Sequence, residues 1–204
     1  GKALKKNDGK KRKHITPDKG EDANEAGGTR SLECILYWAE GDSATGYPKQ
    51  RIDLSPGGKD LGGYFPGKGK FINMCKATPE QLINNDEINR FKTFTGVFEG
   101  IDVTKKADKA KMRYGFIMIT TDADKDGQHI LMLRLNYIYR RFKSLIDEGM
   151  VGYIETPYAR ALKGKGKSEK CIAVFRNENE LQNWLDENKS WFNSNEGGHK
   201  IKYY

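Results

Sequence analysis

The sequence predicts an α/β fold in which a mainly parallel central sheet is flanked by helices. Two short apolar runs, CILYWA at 34–39 and RYGFIMITT at 113–121, are typical of buried strands. Acidic residues follow each run directly, and a helical pattern follows the second. Strand, acidic turn and helix in this order form a βα unit, in which functional groups gather at the carboxyl ends of the strands.

The first 30 residues predict a flexible basic linker, and residues 31–204 a single folded domain. The linker is rich in Lys, Asp, Gly and Asn and holds almost no large apolar side chain. Seven Lys or Arg and one Asp lie within residues 1–14, so this arm accounts for +6 of the net charge of +8. Such an arm could bind phosphates, act as a nuclear localisation signal or be a solvated tail.

Between the two predicted strands the sequence indicates a loop and then a helix. Residues 49–70 contain six glycines, which predicts a loop. Thr78 is placed as an N-cap, Pro79 as the first helical residue and Gln81 as the partner that completes a capping box. We expect this helix to run to about Phe94.

After the second strand, apolar residues recur at helical spacing. They are Leu131, Leu135, Ile138, Phe142 and Leu145. This spacing predicts one continuous helix face, with Gly149 as its C-terminal cap. Beyond it we expect strands at 153–154 and 171–175 and a helix at about 178–188. A final strand from Lys200 is expected to be cut short by the end of the chain.

Composition excludes several classes of protein. No apolar run approaches the roughly 18 residues of a membrane span, and the N-terminus is too charged for a secretory signal. The three cysteines lie far apart without CxxC spacing, so neither a disulfide framework nor a zinc site is indicated. We expect a protein of the nucleus or cytoplasm that is not secreted and has no membrane partner.

Three carboxylates on alternate residues follow the second strand: Asp122, Asp124 and Asp126. The run opens like an EF-hand calcium loop, but loop position twelve, where a bidentate Glu is needed, is Leu133. Capping of the following helix explains one or two of the aspartates, but not three. Mg²⁺ prefers carboxylate oxygens, and Glu40 at the end of the first strand could complete its site.

Several segments carry a resemblance to a known family. EGDSA at 40–44 and TDADKDG at 121–127 resemble the Toprim metal-binding signature, a Glu on one strand and a DxD after another. The surrounding segments are DANEAGGTRS at 22–31, FPGKGKFINM at 65–74, INNDEIN at 83–89 and the terminal KIKYY. Together they resemble the Toprim region of type IIA DNA topoisomerases, of the eukaryotic or viral kind, over about residues 15–204.

The resemblance implies a Toprim, Rossmann-like fold and a set of site residues. Glu40, Asp122 and Asp124 are implied to be catalytic and to bind Mg²⁺, with Asp126 supporting the same site. The family's P-L-R-G-K segment contacts DNA near the scissile phosphate, and here it is PGKGK at 66–70.

In that segment Lys68 and Lys70 are implied to bind DNA. Lys68 stands where the family usually has Arg, and a Lys cannot make the planar bidentate contact that an Arg makes with phosphate. His129 could reach a DNA phosphate or could cap the start of the helix.

The resemblance also implies partners. Double-stranded DNA is the substrate, and the nucleophilic tyrosine and the ATPase lie on other domains of the same enzyme, the winged-helix breakage-reunion domain and the ATPase domain. Full-length relatives are homodimers, whereas this chain alone is expected to be monomeric and inactive. A Toprim-type nuclease or primase, or a non-catalytic module that stacks Tyr64, Phe65 and Phe71 on nucleic acid, are the alternatives.

Overall fold

The computed structural model describes residues 20–41, 52–53, 57–68, 70–122, 124–154, 157–190 and 198–203. The chain divides into two compact units. The first comprises residues 1–121 and 129–154, and the second comprises residues 122–128 and 155–204. No helix in the described ranges is long and apolar enough to cross a membrane.

The first unit is built on a four-stranded sheet in which every pairing is parallel. Its strands are β1 (Ile35–Glu40), β2 (Gly62–Gly67), β3 (Phe116–Thr120) and β4 (Val151–Ile154), in the order β2-β1-β3-β4. Leu36, Trp38, Ile117 and Ile119 are fully buried in it. The predicted α/β class with a mainly parallel sheet is therefore confirmed, as are the two strands predicted from apolar runs.

The glycine-rich segment was predicted to be a loop, and that prediction is wrong for much of its described part. Helix α1 (Gly58–Leu61) leads into β2, whose six residues are all buried. Glycine fits this strand because its neighbours approach closely: a β-carbon at Gly63 would collide with the Tyr114 hydroxyl. Tertiary packing thus outweighs the low strand propensity of glycine.

The predicted capping box at Thr78 is present. The Gln81 amide donates to Thr78 Oγ1 at 3.3 Å, and the Thr78 amide donates to Gln81 Oε1 at 2.9 Å. The helix is shorter than predicted, however, because α2 (Pro79–Ile83) ends and α3 (Asp86–Thr95) begins with its own cap. Asn85 Oδ1 accepts the Ile88 amide at 2.9 Å and starts the new helix.

A similar break divides the long helical pattern. Helix α4 (Lys106–Lys109) precedes β3, and after β3 come α5 (Lys125–Arg141) and α6 (Lys143–Asp147). Phe142, with φ −138° and ψ 44°, leaves the helical region between α5 and α6. Phe142 and Leu145 are nevertheless both fully buried, so the predicted apolar face survives although the helix is not continuous.

An aromatic cluster fills the main core of the first unit. The Trp38 ring lies 4.4 Å from the Phe91 ring and 5.3 Å from the Phe71 ring, measured between centroids. Phe71 in turn lies 5.0 Å from Tyr137 of α5. These contacts join the sheet to α3 and α5, so the helices hold the strands that bear the candidate site.

Residues 20–30 were predicted to belong to the linker, but they pack into the first unit. Ala23 and Ala26 are fully buried. Asp22 forms a buried ion pair with Arg113 and accepts a hydrogen bond from the Tyr114 hydroxyl at 2.7 Å. The folded part of the chain therefore starts before residue 31, while residues 1–19 lie outside the described ranges.

The second unit contains an antiparallel sheet. Its strands β5 (Ala159–Lys163), β6 (Lys170–Phe175) and β7 (Lys200–Tyr203) are ordered β6-β5-β7. Helix α7 (Glu178–Glu187) is capped by Asn177, and the ring centroid of its Trp184 lies 5.4 Å from that of Phe175. Strand β5 was not predicted, whereas β6, β7 and α7 lie where the sequence indicates them.

The buried Asp22–Arg113 pair gives a stability prediction. We expect Asp22→Ala to lower the free energy of unfolding by roughly 3–5 kcal/mol, because the Arg113 guanidinium stays buried without its counter-charge. Chemical denaturation measures this. The matched control is Glu33→Ala, which breaks a carboxylate–guanidinium pair with Arg30 that is exposed to solvent and should change stability little. Equal effects of the two variants would contradict the prediction.

Candidate metal and DNA site

The register of the parallel sheet brings three strand ends together. Glu40, the last residue of β1, pairs with Gly67, the last residue of β2, and Ala39 pairs with Thr120, the last residue of β3. The Gly41 amide donates to the Gly67 carbonyl at 2.7 Å, so the chain remains tied to β2 just beyond Glu40. The half-buried Glu40 therefore stands beside the PGKGK segment, at the edge of the sheet where functional residues of α/β folds gather.

The three aspartates follow β3 in the chain, and all are exposed. Asp124 is the N-cap of α5, since its Oδ1 accepts the Gly127 amide at 2.7 Å. Gly127 has no room for a side chain, because a β-carbon there would collide with the backbone carbonyl of Asp122. The sequence-level explanation of one aspartate by helix capping is therefore correct for Asp124.

The predicted DNA-binding residues are exposed. Lys68 follows β2 directly, and Lys70 lies two residues further on. His129 is the fifth residue of α5, and the cap of that helix is Asp124, so the alternative that His129 caps the helix start does not hold. All three side chains face solvent, as a contact with phosphate requires.

The donor chemistry of these carboxylates fits Mg²⁺, which is bound in proteins through carboxylate oxygens and water. Within the ranges that the structure describes, no group of three or more His, Cys, Asp or Glu is close enough to hold a metal ion. The structure brings Glu40 close to the ends of β2 and β3. Asp122 and Asp124 come two and four residues after Thr120, the last residue of β3.

A buried arginine at this edge was missed by the sequence reasoning. Arg134 of α5 is fully buried. Its Nη1 donates to the Trp38 carbonyl at 3.1 Å and its Nη2 to the Ala39 carbonyl at 2.9 Å, and the guanidinium lies 4.6 Å from the Trp38 ring centroid. Burial lowers the pKa of Arg134 to about 10, whereas the negative charges of Glu87 and Glu40 act to raise it.

Glu87 of α3 is the second charged group beneath the strand ends. Burial raises the pKa of its carboxyl, while Arg134 and a hydrogen bond from the Lys68 backbone amide act in the opposite direction. The signal that could have revealed the pair is the position of Arg134, which lies between Leu131, Leu135 and Ile138 on the apolar face of the helix.

No protein-family model matches the chain. It is 37% identical to DNA topoisomerase 2 of Acanthamoeba polyphaga mimivirus over 98% of its length, and 36% identical to DNA topoisomerase 2 of Pisum sativum over 100% of its length. Its fold matches the crystal structure of the Plasmodium falciparum topoisomerase II DNA-binding, cleavage and re-ligation domain, with a TM-score of 0.72 and 35% identity over 95% of the chain. The chain belongs, as a segment, to the type II DNA topoisomerase family.

This confirms the family that the sequence motifs suggested, including its eukaryotic and viral kind. The chain spans 15% of the length of the mimivirus enzyme, 13% of the pea enzyme and 24% of the Plasmodium chain. The topoisomerase relatives are therefore much longer proteins, of which this chain matches one part.

The absence of a side chain at Gly67 gives a second prediction. A β-carbon there would collide with Arg134 Nη2 and would lie 2.8 Å from Glu87 Oε1 and 2.9 Å from Trp38 Nε1. We expect Gly67→Ala to destabilise the chain by roughly 1–3 kcal/mol, because the buried neighbours have nowhere to move. Denaturant unfolding measures the loss.

The Arg134→Leu background provides the control, since leucine removes the nearest colliding atom. Gly67→Ala should cost less there, with a coupling of at least about 0.5 kcal/mol between the two positions. An identical cost in both backgrounds would show that Gly67 and Arg134 do not interact.

Proposed function

We propose that this chain is the Toprim domain of a type IIA DNA topoisomerase and supplies the Mg²⁺ site at which duplex DNA is cut and resealed during ATP-dependent strand passage. Glu40, Asp122 and Asp124 are the proposed ligands, and Asp126 supports them. The observation that carries the proposal is the parallel register of β1 and β3, which sets Glu40 beside the strand end that the three aspartates follow.

The donor set suits the reaction. Bound Mg²⁺ would neutralise charge that develops on the scissile phosphate and on the departing 3′ oxygen. Glu40 would hold its ligand position from the end of a buried strand, which limits its freedom to move.

The exposed lysines after β2 would place the DNA. Lys68 and Lys70 would contact backbone phosphates beside Glu40, and His129 would approach a phosphate from α5. Because a Lys is a point charge without the forked geometry of Arg, Lys68 would attract a phosphate without fixing its orientation. Orientation would then depend on the surrounding backbone.

The chain would supply only part of the active site. The nucleophilic tyrosine is proposed to come from a winged-helix breakage-reunion domain, and ATP hydrolysis from a further domain of the same enzyme. The complete enzyme would be a homodimer acting on double-stranded DNA in the nucleus or the cytoplasm, whereas the chain alone would be a monomer without activity.

The structure weighs against a binding module that stacks aromatic side chains on nucleic acid. Phe65 and Phe71 belong to the buried core, and Tyr64 is buried as well. Base stacking requires exposed rings. A Toprim-type nuclease or primase would use the same carboxylates, so it differs from the proposal in its nucleophile and not in this site.

Charge removal at the proposed ligands tests the function. In the complete enzyme, Glu40→Gln or Asp122→Asn should abolish DNA cleavage and leave duplex binding largely unchanged, because the carboxylates act on the metal and not on the bases. Cleavage and binding are measured on the same linear duplex. Asp147→Asn, which neutralises an exposed aspartate of α6 paired with Lys143, should leave both unchanged. A parallel loss of binding and cleavage would favour a DNA-binding module.

Metal binding by the chain itself gives an independent test. Millimolar Mg²⁺ should raise its melting temperature, because an ion that binds only the folded state stabilises it. The increase should vanish in Asp122→Asn/Asp124→Asn. Asparagine caps a helix about as well as aspartate, so this pair removes charge while keeping the start of α5. An increase that persists in the double variant would place the ion elsewhere.

A further inference from the structure

Arg134 occupies a position where a buried charge is expensive. It is fully buried on α5 among apolar residues, and a buried ion pair is often replaceable by well-packed apolar side chains without loss of stability. Trp38 Nε1, Glu87 Oε1 and Arg134 Nε are buried without hydrogen-bond partners in the described part of the chain. The cluster is therefore poorly explained by stability alone.

The contacts of Arg134 are with the backbone that carries Glu40. Its guanidinium donates to the carbonyls of Trp38 and Ala39, the two residues before Glu40 in β1. The planar fork of an arginine can reach two adjacent carbonyls at once, which the single ammonium of a lysine cannot do with the same geometry. Arg134 thus restrains the two peptide groups that precede Glu40, the proposed metal ligand.

Glu87 makes the corresponding contact with the neighbouring strand end. Its carboxylate accepts a hydrogen bond from the Lys68 backbone amide, directly after β2. Glu87 and Glu40 are also the carboxylates whose charges act on the Arg134 guanidinium. The buried Arg134 and the half-buried Glu87 therefore connect the backbone before Glu40 with the backbone of Lys68.

The lack of a side chain at Gly67 leaves the space in which Arg134 and Glu87 meet. Arg134 Nη2, Glu87 Oε1 and Trp38 Nε1 all converge on the place that a β-carbon of residue 67 would occupy. Glycine at this position lets the arginine and the glutamate lie directly beneath the last residue of β2, which pairs with Glu40.

We propose that Arg134 is a positioning residue for the cleavage site, which with Glu87 holds Glu40 and Lys68 in register from beneath the sheet. This inference rests on the proposed function, because it presumes that Glu40 binds the metal and Lys68 a DNA phosphate. Because Arg134 is fully buried, it would act through the backbone of β1 and not by direct contact with the DNA or the ion.

The test is the Mg²⁺ dependence of DNA cleavage by the complete enzyme. In Arg134→Leu the half-saturating Mg²⁺ concentration should rise about tenfold, the lower end of what loss of a residue supporting a metal ligand usually costs. Arg134→Lys should restore part of that change, since it keeps the charge but not the two-pronged contact. Arg140→Leu, an exposed arginine six residues further along α5, should match the wild type.

A purely structural role would act differently. It would lower the melting temperature and the amount of active enzyme while leaving the half-saturating Mg²⁺ concentration unchanged, and that result would overturn the inference. If Arg134→Leu does not fold, Glu87→Gln serves as the second variant, because it keeps an acceptor for the Lys68 amide and removes the counter-charge. A smaller rise in the half-saturating concentration is expected, and none would again overturn the inference.

Glu40→Gln in the same assay separates this inference from the proposed function. If Glu40→Gln cleaves DNA normally, the proposed metal site is wrong. If Glu40→Gln is inactive while Arg134→Leu shows the wild-type Mg²⁺ dependence, the metal site stands and only the role given to Arg134 fails.

Discussion

Parallel pairing of β1 with β2 and β3 is the constraint on which the rest of the first unit depends. In a parallel sheet all strands point the same way, so the residues that end neighbouring strands meet at one edge. Here that edge holds Glu40 opposite Gly67, with Thr120 one step away. Shifting the register of β1 by one residue would turn Glu40 and the buried Trp38 to the opposite face of the sheet. The packing of the tryptophan therefore also fixes the orientation of the glutamate.

Buried arginines hold the two ends of this sheet. Arg113 lies just before β3 and pairs with Asp22, and through this pair the segment 20–30 packs against the sheet. Arg134 lies beneath the opposite end and binds the last carbonyls of β1. Each guanidinium is costly to bury, and each donates hydrogen bonds to backbone oxygens. The strands between them are apolar, so the polar constraints are concentrated where the chain enters and leaves the sheet.

Much of the fold was predictable because β1 and β3, of six and five residues, coincide with continuous apolar runs, which are too short for a buried helix to be the easier explanation. Strand β2 could not be predicted, because its glycines locally favour a loop. They form a strand because Tyr114 and Arg134 occupy the space where side chains of residues 63 and 67 would lie. The pairing of Asp22 with Arg113 spans 91 residues and leaves no local pattern. Glu40 and the aspartates could be singled out from their place after apolar runs, whereas Arg134 and Glu87 gain their significance only from contacts distant in sequence.

The cap formed by Asp124 leaves room for the metal-binding role proposed for the same residue. The cap uses Oδ1 toward the Gly127 amide, while an ionised carboxylate has two oxygens and about four acceptor sites. Fixing one oxygen removes the rotational freedom of the other, so ligation would cost less conformational entropy than it would for an unrestrained side chain. Gly127, which has no space for a β-carbon, keeps the Asp122 carbonyl close to the first turn of α5. The helix start thus serves as a rigid base for the acidic segment, and the cap does not conflict with the metal-binding role proposed for Asp124.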